Sequence, residues 1–247
     1  FSSKYELIAN PVLRAFVWIM AFMAIAGNLA TVSCSLRANH LLVLNLALSD
    51  LIMGIYLLLL GSAGAFYSGV YCANKLYWLS STLCDVMGVM VVTSSEMSVL
   101  TMVMLTALRL YAVLNPFYSS TRPQIKVVIF FIAATWFFSL FLSLLPLSTT
   151  HFSITSYYSA NSVCIPNLFV TSTVPAWGFT FFLMILNLSS FLFVFIAYIA
   201  IYIKSSRTKL VKRTSKGFVR TSALEKKIVR LIASDFCCWV PVSVIGF

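Results

Sequence analysis

The stretch from Cys84 to Arg109, CDVMGVMVVTSSEMSVLTMVMLTALR, constrains this chain more than any other part of it. At about 1.5 Å of rise per residue, an α-helix of that length covers about 37 Å, more than the ~30 Å hydrocarbon core of a bilayer. Its two ends therefore reach opposite faces of a membrane. Beyond Asp85 at its head, only Glu96 near the middle and Arg109 at the foot interrupt the apolar run, and each is costly to bury alone in lipid. Both are expected to face other protein or water.

The rest of the chain has the same character. Hydrophobic residues make up 61% of the 247 and charged ones 9%, against ~45–50% and ~25% in soluble domains. There are too few polar residues to cover a water-soluble globule, so the chain needs a lipid-facing surface. The fold class is an all-α membrane protein. Six helices are predicted at about 11–36, 41–67, 81–114, 126–147, 175–203 and 223–247, in one membrane domain over residues 1–247, and no internal repeat divides it. The net charge of +11 raises nucleic acid as a partner, but the 21 phenylalanines sit mostly within apolar runs and not among basic residues, which argues against it. The chain opens at Phe1 without Met or a signal peptide and stops at Phe247 inside an apolar run, so it is expected to be a fragment.

Polar residues within the runs carry most of the information. The first run contains Gly27-Asn28, and a single buried amide there reads most simply as an interhelical hydrogen bond. His40 in the following basic link has no second histidine or cysteine at metal-ligand spacing and reads as interfacial. Asp50 lies ten residues into the second run. It reads either as a functional intramembrane acid or as a protonated, hydrogen-bonded structural aspartate. Residues 68–80 read as an outer loop with an interfacial tryptophan, Trp78. Pro116 closes the third run and Pro146 the fourth, which carries Trp136. Residues 148–173, with His151, Tyr157, Tyr158, Asn161 and Cys164, are polar enough to lie outside the lipid. The fifth run holds Asn187 and Tyr198. Asn187-Leu188-Ser189 matches a glycosylation acceptor but is discounted because it is within the bilayer. The sixth reads IVRLIASDFCCWVPVSVIGF.

Charge sets the orientation. Alternating links place Arg37, Arg109, Arg122, Lys126 and the ten basic residues from Lys204 to Arg230 on one side, against Lys4, Arg14 and Lys75 on the other. By the positive-inside rule the first group is cytoplasmic and the amino terminus is outside. The basic link between the fifth and sixth runs serves equally as a solvated segment near anionic membrane lipid or as a docking site for a cytosolic partner. Cys72, Cys84 and Cys164 fall on the outer, oxidising side, where Cys84 and Cys164 could tether the long loop. Cys34, Cys237 and Cys238 lie in apolar runs and read as small, packed, reduced residues.

No enzyme is expected: the chain has no phosphate-cradling glycine loop, nucleophile elbow, HExxH or CxxC pair. A transporter would favour broken half-length spans and symmetry between halves, which are not found. Taken in order, Gly27-Asn28, LALSD, Cys84 placed 25 residues before Arg109, Trp136, Tyr198 and CWVP resemble the rhodopsin-like G-protein-coupled receptors over essentially the whole chain. SSEMSVLTMVMLTALR, LSDLIMGIYLL and SDFCCWVP are similar, more narrowly, to the receptors with leucine-rich-repeat ectodomains, the glycoprotein-hormone and relaxin group, with Glu96 and Asp235 as the distinguishing marks and Trp239 leaning toward relaxin receptors.

The resemblance implies a seven-helix bundle of which six helices are present, with an ectodomain and a seventh helix lying beyond the fragment. It implies a plasma-membrane receptor that passes a peptide or protein hormone signal to a heterotrimeric G protein. Arg109 corresponds to the arginine freed on activation, but Leu108 and Leu110 stand where the family usually has an acid and an aromatic. The implied inactive state is less firmly locked. Asn28, Asp50 and Ser98 resemble a mid-membrane polar pocket, implying a sodium ion or water cluster at Asp50 and Ser98 and no other cofactor. Tyr198, Asp235, Trp239 and Pro241 resemble activation residues, the last two a proline-weakened switch. Besides a transporter or channel, a truncated, non-signalling receptor variant is the alternative.

Overall fold

The computed structural model describes residues 2, 5–35, 41–115, 125–148, 157–158, 162–166 and 177–211. Among them are six helices: α1 Pro11–Ser35, α2 Leu41–Phe66, α3 Tyr71–Leu79, α4 Thr82–Leu114, α5 Ile125–Ser148 and α6 Trp177–Val211. All but α3 are long and apolar enough to cross a membrane. In hydrocarbon, helices satisfy every backbone polar group within the segment, so an apolar run of this length has little alternative. The expected sixth span at 223–247 lies outside the described residues.

The helix ends follow local chemistry. Asn10 accepts the Val12 N–H on its Oδ1 at 2.8 Å and its carbonyl takes the first helical bond from Arg14. Pro11 is then the first helical residue, where its missing N–H costs nothing. Ser81 caps α4 through the Cys84 N–H, with Asp85 in the first turn against the positive end of the helix. Two expected boundaries shift. The helix of the fourth run continues past Pro146 to Ser148, since a proline in the last turn removes only one bond, and α6 extends to Val211, past the lipid-length run.

Contacts divide the chain into two compact units, residues 1–102 with 123–182, and residues 103–122 with 183–247. In the first unit, α1 packs on α2 through two glycines. A Cβ on Gly54 would come within 2.9 Å of Ile25 Cγ1, and one on Gly61 within 3.0 Å of the Trp18 ring. Small residues let the backbones approach where no hydrophobic effect drives helices together. The outward faces of α1 and α5, with Phe16, Phe22, Phe130 and Phe137, are exposed as a lipid contact requires.

At the end of this unit that carries α3, the chain folds back over the helices. Leu7 is 0% exposed and joins Ile8, Tyr56, Leu60, Tyr67, Tyr71, Trp78 and Met87 in the core. The Tyr5 carbonyl accepts the Gly69 N–H at 2.8 Å, with Gly69 at φ +80, and Ser68 donates to Glu6 at 3.0 Å. Arg14 pairs with Glu6 at 2.7 Å. The stretch 68–80, expected as an outer loop with an interfacial tryptophan, instead contains the helix α3, and Trp78 within it is not interfacial. It is 2% exposed, and its indole N–H donates to the Ser162 carbonyl at 2.8 Å, so it is roofed by protein and not set at a lipid interface.

In the second unit, Thr106 on α4 and Phe191, Val194, Ala197 and Ile201 on α6 are buried. Asn187 donates to the Leu183 carbonyl one turn back, at 2.9 Å, and Ser189 and Ser190 both donate to the Leu186 carbonyl. Such bonds to a carbonyl one turn back help polar side chains sit within an apolar helix.

Candidate functional site

Polar side chains on α2 and α4 recur at three- and four-residue spacing, which places them on one face of each helix: Asn45 and Ser49 on α2, Ser94, Ser98 and Thr101 on α4. The structure brings the two faces together within the first unit. The Asn45 amide, 3% exposed, donates from Nδ2 to Thr101 Oγ1 at 2.8 Å and accepts from Trp136 Nε1 of α5 at 2.8 Å. One side chain thus ties three helices. Ser94 donates to the Ser49 carbonyl at 2.8 Å, and Ser98 donates to Asp50 Oδ1 at 3.0 Å. Trp136 carries the family resemblance in the sequence. Its partners Asn45 and Thr101 are not among the residues that carry that resemblance, and their spacing on α2 and α4 is the signal that marks them.

Ser49 Oγ also lies 3.0 Å from Ser98 Oγ and 2.8 Å from the Leu46 carbonyl, to which it donates. Each hydroxyl has one proton. When Ser98 gives its proton to Asp50, Ser49 must choose between Leu46 and Ser98, so the contacts outnumber the donors. Asn28 is not part of this cluster: its amide donates to the Ala24 carbonyl of its own helix at 2.9 Å. Glu96 is 2% exposed, two residues before Ser98 on α4.

A second cluster gathers where α3, α4 and the segment before α6 meet. Cys84 and Cys164 form a disulfide with a Cα separation of 5.2 Å, closing a loop of 80 residues. In the chain-entropy model a loop of that size contributes about 4.5 kcal/mol. Cys164 is held at φ 54, a left-handed conformation uncommon outside glycine. Its two predecessors are fixed as well. Trp78 bonds the Ser162 carbonyl, and the Tyr56 hydroxyl donates to the Val163 carbonyl at 2.8 Å.

Tyr157 and Tyr158, expected in a polar loop outside the lipid, are both buried. The Tyr157 hydroxyl lies 3.1 Å from Thr180 Oγ1, its ring meets Phe179 edge-on, and burial pushes the phenol up to about 12. Burial raises Tyr158 as well, and its hydroxyl donates to the Ser143 carbonyl at 2.6 Å.

In the second unit, Arg109 is half-buried near the foot of α4, flanked by the half-buried Leu108 and Leu110. The Tyr198 hydroxyl is buried with no hydrogen-bond partner among the described residues. Asp235, Trp239 and Pro241 lie outside the described residues. Among the described residues no three His, Cys, Asp or Glu side chains converge as a metal site.

The family profile described as "7 transmembrane receptor (rhodopsin family)" matches residues 20–247. The chain is 31% identical to the G-protein coupled receptor GRL101 of Lymnaea stagnalis over 255 residues, covering 100% of this chain and 22% of that protein. It is 28% identical to relaxin receptor 2 of Homo sapiens over 254 residues, 99% of this chain and 33% of the receptor. It is 27% identical to the lutropin-choriogonadotropic hormone receptor of Gallus gallus over 249 residues, 98% of this chain and 33% of the receptor. The chain therefore spans a fifth to a third of the length of these curated relatives. The last two are hormone receptors of the branch that the third, second and sixth runs resemble.

Interhelical hydrogen bonds in membranes average about 0.6 kcal/mol and reach about 1.7. Asn45→Ala and Trp136→Phe are each expected to lower the thermal midpoint of the purified protein by a few degrees. Because they share one bond, the double variant should lose less than the sum. Strictly additive losses would show that the Asn45–Trp136 bond carries no coupling energy.

Proposed function

The chain belongs to the rhodopsin family of seven-transmembrane receptors, and from that premise we propose that it is the membrane part of a cell-surface hormone receptor that signals to a heterotrimeric G protein. The observation that carries this reading is α4, one uninterrupted helix from Thr82 to Leu114 that holds the Cys84 disulfide in its first turn, the Ser94, Ser98 and Thr101 contacts along its middle and Arg109 near its foot. A helix anchored at one end and joined to its neighbours at mid-length is suited to pass a rearrangement between membrane faces.

The orientation follows from charge and redox chemistry. The disulfide end faces outside, where disulfides persist, and the Arg109 end and the basic link from Lys204 face the cytosol. The amino terminus is then outside. A peptide or protein hormone is captured by parts of the protein beyond this chain, and the bundle transmits the event. Arg109 meets the G protein, with Tyr198, Asp235, Trp239 and Pro241 as activation residues and Glu96 as a mark of the branch. The family is one of receptors, not of enzymes.

Sodium fits the mid-membrane cluster. Asp50 Oδ1 and Ser49 Oγ are hard oxygen ligands, each 3.0 Å from a third, Ser98 Oγ. A bound sodium ion would offset the Asp50 charge. Replacing potassium by sodium is expected to raise the thermal midpoint of the purified full-length receptor, and Asp50→Asn to remove the difference. An equal response in Asp50→Asn would remove Asp50 from the site.

Full-length receptor reconstituted with G protein should catalyse nucleotide exchange when its hormone is added. Solute flux across the vesicle without exchange would assign the chain to transport instead. Leu108→Glu supplies the acid that the family usually places beside the arginine and should lower basal second-messenger output at least twofold. Unchanged output at equal surface expression would show that Leu108 does not set the basal state.

A further inference from the structure

Gly88 is the only glycine in α4 and is buried. Its conservative replacement is sterically barred, since a methyl group at this position would overlap the Cβ, Cγ and Cδ1 atoms of Tyr158. The ring of Tyr158 therefore lies in the groove that the glycine leaves on α4. It is 0% exposed. Tyr158 does not belong to any helix and reaches this groove from the segment joining α5 to α6.

The far end of the groove is polar in a defined way. The Tyr158 hydroxyl donates to the Ser143 carbonyl at 2.6 Å, short for an O–H···O bond. Ser143 is fixed by its own side chain, which donates to the Leu140 carbonyl at 3.0 Å and accepts from Thr93 Oγ1 of α4 at 2.8 Å. Pro146 has no N–H for the Leu142 carbonyl, which weakens the last turn of α5 where Ser143 presents its carbonyl. The groove thus offers a flat apolar wall without a Cβ at one end and a buried acceptor at the other. The Tyr157 ring closes it edge-on at 5.1 Å.

We propose that this slot, walled by Gly88 and ended by the Ser143 carbonyl, is a recognition site for a small phenol, which Tyr158 fills from within the same chain. The ligand class follows from the two ends. A flat ring fits against a glycine but not against a larger residue, and a buried carbonyl rewards a hydroxyl donor and penalises a ring that lacks one. A free phenol then binds wherever the tyrosine side chain is removed or withdrawn. The slot lies within the first unit and does not depend on G-protein coupling.

The test uses the full-length receptor in detergent and three variants. In Tyr158→Gly, 4-methylphenol at about 10 mM should raise the thermal midpoint by several degrees, as mass action predicts for a ligand with a Kd near 1 mM. The parent, whose slot is filled, should not respond. Toluene has the same shape without the donor and should give less than half the shift. Tyr158→Gly combined with Gly88→Ala should lose the response to 4-methylphenol, because the methyl group occupies the ring position. Tyr158→Phe keeps the ring and should melt below the parent. Equal shifts in parent and variant, equal shifts with toluene, or a full shift in the Gly88→Ala double variant would each overturn the proposal. If purified Tyr158→Gly is too unstable to melt, surface yield from cells grown with either compound gives the same reading. Recovery with 4-methylphenol and not with toluene supports the slot, and no recovery with either overturns it.

Discussion

A hydrogen-bonding group in hydrocarbon has no water to fall back on, and the first unit is arranged around that constraint. Its clearest expression is Asn45, whose amide donates to Thr101 Oγ1 and accepts from Trp136 Nε1 and so engages α4 and α5 from α2. Apolar side chains pack against lipid tails almost as well as against each other. They define a surface for these helices but little rotational register. A buried amide with two directional partners does define register, because rotating any of the three helices breaks a bond that nothing in the bilayer can replace.

The disulfide end works on different chemistry. There the constraint is to hold a non-helical segment down over the helices, and it is met by one covalent and two hydrogen-bonded attachments at Cys164, Val163 and Ser162. Buried Leu7 and Ile8 complete the cover from the amino-terminal side. The backbone groups used are carbonyls of a loop, which would otherwise be unsatisfied where Tyr56 and Trp78 lie against them.

Much of this was legible in the residues because it depends on local quantities. Run length and polarity identified the spanning helices, and Asn10-Pro11 and Ser81 mark helix starts through capping. What escaped depends on closure in three dimensions. Trp78 looks interfacial beside Asn74 and Lys75, since nothing in those nine residues reveals that Ser162 returns above it. Tyr157 and Tyr158 sit in a polar stretch, yet Tyr158 is buried where α4 lacks a side chain at Gly88 and Tyr157 against Phe179 and Thr180. Asn28 and Ser98 are both polar and at comparable depth by count, yet Asn28 satisfies itself on Ala24. Helix rotation decides between those outcomes, and a lone polar residue such as Asn28, unlike the spaced set on α2 and α4, carries no rotational signal.

The contrast between Asn45 and Ser49 has a mechanical meaning. Asn45 commits one donor and one acceptor to two different partners, so it behaves as a pivot whose displacement costs bonds at once. Ser49 and Ser98 sit among more contacts than they have protons to serve, so each hydroxyl can turn its hydrogen from one acceptor to another without moving a heavy atom. That makes the Ser49–Ser98 contact a bearing, able to slide by exchanging partners. Along a single α2–α4 seam, a stiff joint and a low-friction one stand one helical turn apart.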